Sequence, residues 1–183
     1  MRVIRAVSTV QTFTLPRATP TAVLEHLRAH RFAHFACYVV LEPGRPFDAS
    51  FKLYDGQCLT LLDMARTRLP EAEFVFLSAC RMVELTAESI ADEVLHFATA
   101  MQHSGFRSVV GTMWAMGDTD GRDVAKAFYK SVFSDSDTLA ERDVVPLAYY
   151  DRTARALRDA VEQLRRKRRI TLARRARFLH YGA

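Results

Sequence analysis

A chain of 183 residues, 49% hydrophobic and 26% charged with a formal net charge of +5, has the composition of a globular protein with a substantial core, and one domain over 1–183 is expected. No apolar run approaches the length that spans a bilayer, and Ser8, Thr9 and Gln11 interrupt the N-terminal stretch before a signal-peptide core can form, so a cytoplasmic protein with no membrane contact is expected. Three irregularly spaced cysteines, Cys37, Cys58 and Cys80, exclude a disulfide framework and fit a reducing compartment.

In chain order, Val3 to Leu15 alternates loosely and predicts a first strand that Pro16 stops. Thr19-Pro20 reads as a helix start, cap followed by first-turn proline, for a helix of about ten residues. Phe32 to Leu41, FAHFACYVVL, is apolar nearly throughout and predicts a strand buried on both faces. Ser50 to Leu53, the turn signal Asp55-Gly56, and Cys58-Leu59 predict a short hairpin. Thr60 to Asp63 has the spacing of a capping box before a short helix closed by Pro70.

Phe74 to Cys80, FVFLSAC, is the most strongly core-like stretch and predicts a central strand of a parallel sheet. Ser89 to Asp92 predicts a second capped helix, with Ile90, Val94, Phe97 and Met101 on one face and its end near Gly105. Phe106 to Trp114 predicts a third core strand. Gly117 to Gly121 reads as an acidic turn before a helix marked by Val124, Phe128 and Val132, and Ser134 to Asp143 as a polar, mobile stretch. Pro146 opens a long basic helix, about 146–169, with apolar residues at helical spacing and arginines on the other face. Strands alternating with helices define an α/β sandwich with a mostly parallel central sheet flanked by helices.

Between Arg152 and Arg177 eleven Arg or Lys stand against two acids, so the rest of the chain is slightly acidic. The segment Arg165 to Arg169 is a candidate docking surface for an acidic partner. It lacks interleaved aromatics and any DNA-binding motif, so nucleic acid is not the expected partner. The chain has no glycine-rich phosphate loop of either common type, and no cofactor is expected. His34 and Cys37, three apart on one strand, point to opposite faces, so they form no metal site with Cys58, and none is expected.

Cysteine chemistry remains. In open α/β sheets reactive groups collect beyond the carboxyl ends of strands, where Cys80 falls, and a thiol nucleophile needs a base and oxyanion donors. The base would come from the end of the Phe32 to Leu41 strand, around Tyr38. Arg81 beside Cys80 is a cation able to stabilise a thiolate.

The blocks HFACYVVLEPGRPFDASF, LTLLDMARTRLPEAEFVFLSAC, ESIADEVLHFATAMQHSGFRSVVGTMWAMGDTDGRDVAKAFYKSVF and the terminal FLHYGA resemble, in that order, the CHAT domain, a caspase-like cysteine peptidase module. The resemblance runs from about Thr19 to Ala183 and is nearest to fungal members; such domains usually follow tetratricopeptide repeats. It implies a caspase-like three-layer sandwich, a protein or peptide as substrate or partner, His-Gly at the end of one strand and Cys at the end of the next. Where the family tends to read HFxCHG, this chain has Tyr38 and Val39 in place of His and Gly. Cys80 keeps the nucleophile position, and Arg81 follows it where the family has His.

Phenols, with an ordinary pKa of about 10, accept protons poorly at pH 7 beside an imidazole, so the resemblance implies a catalytically impaired module with a regulatory or partner-binding role. The alternative is an active cysteine endopeptidase that cleaves after basic residues, with Asp118 and Asp120 as an acidic pocket and the base supplied by His180, water or a partner. His34 lies four residues before Tyr38, about 13 Å away at roughly 3.3 Å per residue, and does not replace the base.

Overall fold

The computed structural model describes residues 18–41, 45–78, 80–81, 87–112, 118–134, 149–168 and 178–182, with the backbone alone at residues 46, 80–81, 87–94, 112, 118, 134 and 167–168. The strand expected in Val3 to Leu15, residues 135–143 of the polar stretch, and Pro146 lie outside them.

Helix α1 (Pro20–Ala29) starts as its sequence predicts: the Thr19 hydroxyl accepts from the Ala22 amide at 3.3 Å and Pro20 occupies the first turn. The stretch read as one strand is two, β1 (Phe32–Phe35) and β2 (Tyr38–Val40), interrupted at Ala36 and Cys37. The hairpin forms from β3 (Ser50–Lys52) and β4 (Cys58–Thr60), joined through a turn that holds Asp55 and Gly56 at positive φ. Helix α2 (Leu61–Arg66) has the full capping box: Thr60 Oγ1 accepts from the Asp63 amide, and the Asp63 carboxylate accepts from the Thr60 amide, both at 3.0 Å.

The central run likewise divides into β5 (Phe74–Leu77), buried at every position, and β6 (Cys80–Arg81). Helix α3 (Ala87–Ser104) begins before Ser89, which is therefore inside the helix rather than its cap. It ends at Gly105, whose φ of 131° no L side chain adopts easily. Strand β7 (Ser108–Thr112) follows. Helix α4 (Asp118–Ser134) takes in most of the expected acidic turn, because carboxylates in a first helical turn are stabilised by the helix dipole. Helix α5 (Tyr149–Arg168) is the long basic helix, and β8 (Phe178–Gly182) adds a strand that the sequence pattern does not predict.

Two sheets result. The main sheet has the order β1-β5-β7-β8, its first three strands parallel and β8 antiparallel to β7; the second has the order β4-β3-β2-β6. Alternation distributes the main sheet's side chains between two layers. Phe74, Phe76, Val110 and Phe178 pack on Phe128, Val132 and Leu157 of α4 and α5. Phe35, Val75, Leu77 and Val109 belong to the opposite core with Leu27, Met64 and Met101 of α1 to α3 and with Val39, Phe51 and Leu59 of the second sheet. The protein is thus a three-layer α/β sandwich of the caspase-like kind, with a mostly parallel central sheet.

Burial on both faces does not hold for the Phe32 to Leu41 stretch. His34, Ala36 and Tyr38 are exposed while Phe35, Val39 and Leu41 are buried. For His34 the cause is position, because β1 is the edge of the main sheet. Ala36 lies in the break between the strands, and Tyr38 opens β2 on the face opposite its buried neighbour Val39.

Glu73 fastens the amino end of the sheet. Its buried carboxylate pairs with the Arg31 guanidinium and accepts from the Tyr149 amide at 2.9 Å, while its carbonyl accepts from the amides of Arg107 and Ser108, both at 3.0 Å. One side chain and its backbone therefore join the entries of β1, β5, β7 and α5, and the carboxylate sits at the positive end of α5.

Candidate active site

The site rests on a register. In β2 and β6, which run parallel, Tyr38 is the partner of Cys80 and Val39 the partner of Arg81. The main-sheet pair below has the partners Phe35 and Leu77, an identical offset, so both strand pairs keep one register through their breaks. Just beyond the carboxyl ends of β1 and β5, the starts of β2 and β6 therefore bring residue 38 beside residue 80, the juxtaposition that a thiol and its base require.

Tyr38 is 56% exposed, open to the solvent above the strand ends. Val39 is 5% exposed, its side chain in the core beside Phe51, its strand partner in β3, and its backbone keeps negative φ. A glycine there would release both constraints. At Val39 the backbone belongs to a central strand paired on both sides, a poor starting point for turning an amide toward a substrate oxyanion.

Asp118 opens α4 after the carboxyl end of β7, and Asp120, 4% exposed, lies in the same first turn. The burial of Asp120 suits a helix-terminus role. It removes that carboxylate from a substrate arriving through solvent.

Neither His180 nor His34 is the register partner of Cys80. His180 is the β8 partner of Val110, which in turn is the partner of Phe76. Two strand spacings and four residues of rise separate His180 from Cys80, on the order of 16 Å. Its Nε2 lies 2.9 Å from both Ser108 Oγ and Thr153 Oγ1, whose hydroxyls are 2.6 Å apart and fully buried. Burial lowers the His180 pKa, so the ring is neutral at pH 7 and part of a structural network at the amino end of β7.

His34 is the histidine that comes nearer, through a contact the sequence did not reveal. Its Nε2 is 2.6 Å from the Ser78 hydroxyl, and its ring lies 5.0 Å from Phe76 and 5.7 Å from Tyr129 between centroids. These surroundings strip water from the imidazole and lower its pKa from 6.5 to about 4, although solvent still reaches the residue. His34 is neutral at pH 7.

Cys37, at the strand break, is a half-buried thiol whose pKa burial pushes up to about 12, the opposite of an activated nucleophile. Among the described residues no group of three or more His, Cys, Asp or Glu is placed to hold a metal ion. At the far, amino end of the sheet a cavity of about 340 Å³ is lined by Arg31, Glu73, Arg107 and Tyr150 among others; Arg107 donates to the Tyr150 hydroxyl at 3.1 Å. No helix of the described residues is long and apolar enough to cross a membrane.

A caspase-like sandwich that sets a cysteine position opposite a second strand end defines a class of α/β proteins. The CHAT domain family model matches residues 2–182, and the chain belongs to that family. Among the curated proteins none matches it.

Proposed function

We propose that this chain is a caspase-like module whose catalytic pair is degenerate and whose work is regulation or partner binding. The observation that carries the reading is that Tyr38, and no histidine, is the register partner of Cys80. Losing the base of such a pair typically costs orders of magnitude in rate. The partner is a protein or peptide, the module acts in the cytoplasm behind a tetratricopeptide-repeat region, and the blocks shared with fungal members support a fungal type. The free thiols Cys37 and Cys58 support the reducing setting.

An activity-based probe for thiol peptidases tests the reading on the unmodified chain beside a Tyr38→His Val39→Gly double variant. Labelling and turnover are expected to be weak in the former and to rise in the latter. Robust Cys80-dependent turnover by the unmodified chain overturns the proposal.

The acidic start of α4, beyond the carboxyl end of β7, favours a second reading, an active endopeptidase with a preference for basic residues. Asp118 and Asp120 would form its substrate subsite, and the burial of Asp120 counts against that role. Against it stands the engagement of His180 with Ser108 and Thr153, which leaves water or a partner to supply the base. Unchanged cleavage of a peptide library by a Cys80→Ala variant rules this reading out.

A further inference from the structure

We infer that His34 and Ser78 form a staple that positions the Tyr38 and Cys80 strand ends relative to each other. The inference deepens the reading of residues 38 and 80 as the site and names two positioning residues for it.

Both strands leave the main sheet together. Below the break Phe35 is the partner of Leu77, above it Tyr38 is the partner of Cys80, and Ala36, Cys37 and Ser78 lie between the two ladders. A strand pair is weakest in register where its ladder is interrupted, and a slip of one residue would turn Tyr38 to the opposite face. Ser78 holds this point in three ways. Its amide donates to the Phe35 carbonyl at 3.0 Å, its hydroxyl reaches the same carbonyl at 3.5 Å, and its hydroxyl lies 2.6 Å from His34 Nε2.

His34 does not reach straight across. Its register partner is Phe76, yet the ring leans along the strand to meet Ser78, two residues before Cys80. The contacts with Phe76 and Tyr129 hold the ring between the central strand and α4. The staple therefore ties the strand ends to a packed helix as well as to each other. A neutral imidazole suits a positioning role, because one nitrogen is committed to the hydroxyl and no proton transfer to Cys80 is required.

The test uses the full chain with Ser78→Ala, His34→Ala and Ser78→Thr, which keeps a hydroxyl. Amide hydrogen exchange reads residues 38–40 and 80–81, and peptide-resolved iodoacetamide alkylation reads Cys80, with exposed Cys58 on β4 as internal control. Ser78→Ala and His34→Ala should accelerate exchange at those strand ends by about tenfold. They should also change the Cys80 alkylation rate by about threefold or more, with Cys58 unchanged and Ser78→Thr near the parent.

Rates within about twofold of the parent in both alanine variants overturn the staple, as do equal effects at Cys58 or no rescue by Ser78→Thr. Labelling of Ser78 by a fluorophosphonate in a His34-dependent manner also overturns it, by making the serine a nucleophile rather than a positioning group. Turnover by the unmodified chain would sink the degenerate-site reading and leave the staple standing.

Discussion

Tyr38 and Cys80 are register partners across a parallel strand pair whose alignment matches that of Phe35 and Leu77 in the main sheet. Residues 38 and 80 therefore stand side by side, and under the proposed reading the chemistry turns on which side chain occupies residue 38. Tyr38 is more than half exposed, whereas its neighbour Val39 is core. The two departures from the family pattern consequently differ in structural weight.

That difference is measurable. Tyr38→His should change stability by no more than about 0.5 kcal/mol, as exposed substitutions do. Val39→Gly should cost about 2–3 kcal/mol from lost burial and added backbone freedom in a central strand. Urea unfolding of the two single variants and the double variant checks this; equal costs for the two singles would contradict the burial argument.

Glu73 should be among the more sensitive polar positions. Glu73→Ala removes the partner of Arg31 and of the Tyr149 amide together and is expected to cost about 2–3 kcal/mol, with Glu73→Gln losing less. A lower urea midpoint at unchanged slope is the signature. A shift of under about 0.5 kcal/mol would mean that the carboxylate fastens nothing.

Stability should fall as pH drops from 6.5 toward 4. His34, lowered to about 4, stays neutral when folded over most of that window and takes up a proton when unfolded, and His180, lowered by burial, contributes in the same direction. The unfolded chain then binds more protons in that window, so their contribution is complete above pH 6.5 and declines below it. Solvent at His34 limits its share to on the order of 1 kcal/mol. Thermal unfolding from pH 4 to 7 should be flatter for His34→Gln than for the parent, and identical slopes would refute the assignment.

The two described free thiols should separate by reactivity. Cys58 is exposed, whereas Cys37 is half-buried with its pKa raised to about 12. At pH 8 Cys58 should alkylate about a hundredfold faster in the native chain, a gap that closes in denaturant. Comparable native rates would place Cys37 in a different environment.

Gly105 and Gly56 both take positive φ, yet they should respond unequally to alanine. A Cβ at Gly105 would collide with the Leu69 carbonyl, whereas nothing lies within 4 Å of one at Gly56. Gly105→Ala should cost about 3 kcal/mol or more and Gly56→Ala about 1 kcal/mol. Melting temperatures of the two variants decide it.

Local signals determined much of this protein. Thr19-Pro20 and the Thr60 to Asp63 box start their helices because capping is a matter of three or four residues, and Asp55-Gly56 turns its hairpin because few residues accept positive φ. The run Phe74 to Leu77 is a buried central strand because an unbroken apolar sequence has no stable place elsewhere. The family pattern likewise singled out residues 38 and 80, and the register joins them.

Only the tertiary structure decided the rest. Apolar composition could not show that Phe32 to Leu41 breaks at Ala36, since the break comes from one chain passing from the edge of the main sheet into the second sheet, with His34 exposed on the first strand and Tyr38 on the next. Five residues at Phe178 to Gly182 carry too short a pattern to declare a strand, and they become one by pairing with β7. His180 meets Ser108 and Thr153, and His34 meets Ser78, through contacts between residues distant in sequence. Such contacts depend on which strands become neighbours, a property of the whole chain's packing that no local stretch contains.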